Sequence, residues 1–151
     1  MRRDSAYQET LKALLLFVLI IGYGALTDMV YYLPPFFGVA FFLFCTFLDR
    51  KQWLYLLPIV VFLLFFEATK NFLLFSSMIF FALSYYLLLP KVRQLFGTRK
   101  HLIPLFVFYA YGGYYLFLSL LGALFELDMP DFSLILFYYA AVEMFFLLVL
   151  L

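Results

Sequence analysis

Charge is scarce in this sequence, and so are the residue types from which most active sites are assembled. Only 13% of positions are Asp, Glu, Lys or Arg, roughly half the share that keeps an ordinary globular domain in water. A soluble domain with a charged surface is therefore excluded. There is one cysteine, Cys45, inside an apolar run, so the chain has no internal disulfide and the thiol is expected to pack as a small hydrophobe. There is one histidine, His101, with no second histidine at helical spacing, which excludes a di-histidine haem site and leaves no metal cluster. The patterns G-x-S-x-G, G-x-x-x-x-G-K and H-E-x-x-H do not occur, so the chain is read as non-enzymatic and without a cofactor. A net charge of +1 offers no electrostatic footprint for nucleic acid.

What the sequence has is hydrocarbon. Hydrophobic residues fill 68% of it and the mean hydropathy is +1.08, with apolar runs as long as a bilayer is thick. These runs are apolar on every side and too long for barrel strands, which alternate at about 9–11 residues, so helices are the spanning structure. The expectation is an all-α polytopic membrane protein with six transmembrane helices, both termini in the cytoplasm, and residues 1–151 forming a single integral membrane domain. The spans are 11–27, 35–48, 53–66, 72–89, 102–127 and 132–151. The first run is expected to be a retained span, because 5–12 is polar and no small-residue cleavage site follows.

Basic residues set the orientation. Arg2, Arg3, Lys12, Arg50, Lys51, Lys91, Arg93, Arg99 and Lys100 fall on one side, and only Lys70 on the other, which carries Asp28, Glu67, Glu126, Asp128 and Asp131. The positive-inside rule then puts the cytoplasm on the first side. Lys91, Arg93, Arg99 and Lys100 form the principal cytoplasmic basic loop, facing cytoplasmic partners or anionic lipid.

Glu143 is the acid deepest within an apolar run, on the order of 16 Å into the last span at 1.5 Å per residue. Tyr139, one turn earlier, is its expected hydroxyl partner. The readings open to Glu143 are a proton-linked site, a polar contact to another helix, and a satisfied packing residue. Glu67 and Lys70, three residues apart, are expected to pair near the outer interface. Gly112, Gly113, Ser119, Gly122 and Ala123 allow close helix approach in span five, for packing within the chain or for docking a partner, self-association included.

The stretch Tyr31-Tyr32-Leu33-Pro34-Pro35-Phe36-Phe37-Gly38, the short basic turn at Arg50-Lys51 and the acid within Leu64-Phe65-Phe66-Glu67-Ala68 complete the pattern. In these segments, and in size and span layout over most of its length, the chain resembles the bacterial rod-shape-determining MreD family, small proteins of five or six spans with short loops. The resemblance implies a non-enzymatic scaffold of the bacterial inner membrane that supports cell shape and peptidoglycan synthesis. It also implies contacts with MreC and the wall-synthesis enzymes and indirect coupling to MreB. The alternative is a small-molecule transporter or substrate-binding membrane subunit built around Glu143; that family is itself thought to resemble vitamin-transporter substrate subunits.

Overall fold

A computed structural model describes residues 2–96, 102–128, 131 and 133–150. The chain is all-helical in this region. Six helices follow one another: α1 (Arg2–Met29), α2 (Phe37–Asp49), α3 (Trp53–Lys70), α4 (76–96), α5 (Ile103–Phe125) and α6 (Ile135–Leu150). Three stretches, Ser5–Met29, Trp53–Lys70 and Ile103–Phe125, are long and apolar enough to cross a membrane. The third run, expected to end at Phe66, is therefore one of the longer apolar helices, because α3 continues through Glu67 to Lys70.

Helix ends follow local chemistry. Pro34 and Pro35 cannot continue α1, and the chain re-enters helix through Phe36, whose φ of 55° lies in the left-handed region. Asn71 ends α3 in the same conformation (φ 54°), and its N–H and that of Phe72 both return to the Glu67 carbonyl, a closure that Asn tolerates well. Helix α4 has one wide turn, a π segment at Ser84–Leu88, without breaking. There the Ser84 hydroxyl donates back to the Phe80 carbonyl at 2.7 Å.

Helix α2 is central, packed against α3, α5 and α6, while α1 lies mainly along α3 at the edge. The Phe37 ring is 1% exposed and sits 4.7 Å from the Tyr114 ring, 5.0 Å from Phe81 and 5.4 Å from Phe66. Aromatic rings thus fill the volume in which α2, α3, α4 and α5 meet. The outward faces are as apolar as the centre. Leu15, Leu116, Phe145 and Val149 are each more than half exposed, an arrangement that water penalises and lipid does not.

Candidate functional site

Two carboxylates, Glu67 and Glu143, lie at 0% exposure inside this apolar fold. Each meets the amino end of another helix. The first turn of a helix leaves N–H groups without intrahelical acceptors and carries the positive end of the helix dipole, so a carboxylate there is doubly favoured.

Glu143, on α6, accepts from the Gly38 N–H at 2.8 Å and the Val39 N–H at 3.1 Å with Oε2, while Tyr111 of α5 donates its hydroxyl to Oε1. The approach is close enough to require glycine. A Cβ on Gly38 would stand 2.8 Å from Val107 Cγ1 and 2.9 Å from Glu143 Oε2.

Glu67, on α3, does the same for α4. Its Oε2 accepts from the Phe75 N–H at 2.7 Å, and its Oε1 from the Ser76 hydroxyl at 3.1 Å and the Ser77 N–H at 2.5 Å. The residue before α4, Phe75, is left-handed with φ 67°, as Phe36 is before α2. The Ser76 hydroxyl also meets the Tyr114 hydroxyl at 2.9 Å. Tyr111 and Tyr114 lie one turn apart on α5 and flank the Phe37 ring, so one helix joins both capped ends.

This arrangement corrects the expected pairings. The hydroxyl partner of Glu143 is Tyr111, because α5 packs beside α6 at that level; Tyr139 instead donates to the Tyr31 carbonyl and ties α6 to the turn after α1. Glu67 points inward, and Lys70 pairs with Asp28 of α1 at 3.7 Å. The small residues of span five divide between faces. Gly113 packs where a Cβ would meet the Phe80 ring at 2.9 Å and Gly122 is buried, whereas Gly112 has open space at its Cα and Ala123 is exposed. Ser119 is half-buried and bonds the Tyr115 carbonyl of its own helix at 2.9 Å.

In the basic segment, Lys91 is exposed and Arg93 forms an ion pair with Asp49, which also accepts from the Tyr85 hydroxyl at 2.7 Å. Burial raises the Asp49 carboxyl, but hydrogen bonds from Arg93 and Tyr85 outweigh it and hold the group below its ordinary value. Arg99, Lys100 and His101 lie outside the described residues.

Chemically, the two carboxylates are occupied by donors, and no buried side-chain nitrogen or oxygen among the described residues lacks a partner. Neither acid lines the groove of about 570 Å³ that lies between α1 and α6. Among the described residues no three His, Cys, Asp or Glu gather as metal ligands would. Sequence reasoning missed Gly38, Ser76 and Ser77. Two signals pointed to them: a Ser-Ser pair opening a helix nine residues after an acid, and a glycine directly after an aromatic turn. No protein family, curated protein or solved structure matches this chain.

Proposed function

We propose that this chain is a non-enzymatic, MreD-like scaffold of a bacterial inner membrane, crossing it six times with both termini in the cytoplasm. Its role in this reading is to hold partner proteins of the cell-elongation machinery, MreC and wall-synthesis enzymes among them, through lipid-embedded helix faces. The observation that carries the reading is the use of both buried acids as internal helix caps. In transporters with interrupted helices, amino ends at mid-membrane depth bind anionic substrate groups. Here an internal carboxylate already receives the amino end of α2 and another that of α4, which favours a fixed framework over a substrate site. The 9-to-1 distribution of basic residues supports the orientation.

Depletion in a rod-shaped host, followed by microscopy and in-membrane crosslinking, tests the proposal. Rounding of the cells with recovery of MreC is expected. Uptake of a small molecule by the purified protein in vesicles, with cell shape unchanged on depletion, overturns it.

A further inference from the structure

A groove of about 570 Å³ opens sideways between α1 and α6, with α2 and α3 as its floor. Leu16, Leu19 and Tyr23 form one wall, Val39 and Leu43 line the floor, and Leu150 lies opposite. Its size is that of a small-molecule site. One end is closed: the Tyr23 and Phe36 rings stack at 4.2 Å, and Phe36 stacks on Phe146 at 5.2 Å. The Tyr23 hydroxyl is already bonded to the Pro34 carbonyl at 2.7 Å, so that end presents only hydrocarbon.

The other end leads to cations. Because Tyr23 near the end of α1 stacks on Phe36 at the start of α2, the two helices run antiparallel. On α1 the stripe Tyr23, Leu19, Leu16 continues by one turn to Lys12. On α2 the stripe Val39, Leu43 continues by seven residues, two turns, to Arg50, whose backbone is still helical. Both are exposed, and neither has an ion-pair partner among the described residues.

A membrane-spanning helix needs a seam through the roughly 30 Å hydrocarbon layer. From Leu16 to Tyr23 the groove covers only about 10 Å of α1 at 1.5 Å per residue, and it is shut beyond that. A slot closed at one end and apolar along its length, with a cation beyond its other end on the continued stripe of α1 and another on that of α2, fits an amphiphile with a negative head. We propose that the groove binds an anionic phospholipid, its acyl chain between α1 and α6 and its phosphate between Lys12 and Arg50. Placement of that phosphate in the cytoplasmic leaflet rests on the orientation proposed above; the binding itself does not.

The test uses the full chain in phosphatidylcholine vesicles containing a minority of acyl-brominated phosphatidylglycerol. Leu16→Trp in a Trp53→Phe background supplies the reporter, since Trp53 is the sole tryptophan. Quenching above that given by the same fraction of brominated phosphatidylcholine is expected. Lys12→Gln and Arg50→Gln should each lower the preference about fivefold, the scale of one basic group near a lipid surface. Native mass spectrometry of the otherwise unaltered protein, with and without those two exposed substitutions, gives a second readout free of any change in the groove. Equal quenching by both lipids, or a preference untouched by the two substitutions, overturns the proposal. Quenching below bulk lipid together with crosslinks between copies overturns it in favour of a protein helix in the groove. Failure of any of these arms leaves the scaffold reading standing, because none involves MreC or cell shape.

Discussion

At the residue scale, the division between Glu143 and a glutamine or alanine in its place is a matter of which donors lose their acceptor. Glu143→Ala leaves the Gly38 and Val39 N–H groups and the Tyr111 hydroxyl without it, and a loss of roughly 3 kcal/mol is expected from unpaired buried donors. Glu143→Gln keeps one acceptor oxygen and loses the charge, so its loss is expected to be about half as large. Thermal unfolding in one detergent, with both variants side by side, checks the order; equal effects would show that the carboxylate is not the cap. The sequence made Glu143 visible as an acid in an apolar run. It did not reveal Glu67 as its counterpart, because Glu67 lies near the end of its run, where an exposed interfacial acid is the ordinary expectation.

At the scale of the element, the amino ends of α2 and α4 are built alike: a left-handed phenylalanine, then a first turn received by a carboxylate from another helix. The carboxyl ends of α3 and α5 are also alike, left-handed at Asn71 and at Glu126. Helix α5 closes on Glu126 with φ 54°, a conformation that costs an L-residue other than Gly or Asn about 1–2 kcal/mol. Glu126→Gly is therefore expected to raise stability by up to about 1 kcal/mol after the entropy of glycine is counted, readable as a higher unfolding midpoint. The end of α2 is tied to α4 by the Asp49–Arg93 pair. The folded Asp49 carboxyl lies below its ordinary value, so the stability it contributes is present above that value, near pH 4. That contribution fades as the pH falls through the folded value. Since both side chains are substantially exposed, it amounts to no more than about 1 kcal/mol. Wild type and Asp49→Asn should differ in unfolding midpoint at pH 7 and converge in acid; a constant gap would remove the pair from the account.

For the whole molecule, the most direct check is topological. With six crossings and the amino terminus inside, a reporter fused after Leu151 is cytoplasmic and one inserted between Asp28 and Tyr31 is external. A third reporter beside Lys51 should be cytoplasmic. Opposite signals at the first two sites are expected, and an external carboxyl-terminal reporter would reduce the crossings to an odd number. The lipid slot belongs to this scale too, since it exists only because α1 lies along α3 and leaves α2 partly uncovered.

Composition and charge spacing by themselves determined the helical class of this protein, its expected solvent and the expected sidedness, because hydrocarbon length and basic-residue bias are additive properties read along the chain. They located Glu143 and the small residues of α5 for the same reason. Only the tertiary structure decided which groups meet: that Tyr111 and not Tyr139 reaches Glu143, that Gly113 faces inward and Gly112 outward, and that Glu67 caps α4. In spans apolar all around, no hydrophobic stripe marks the buried face, so helix rotation is set by packing volume and by the need to satisfy buried polar groups. Those are properties of pairs of helices, and no single segment carries them.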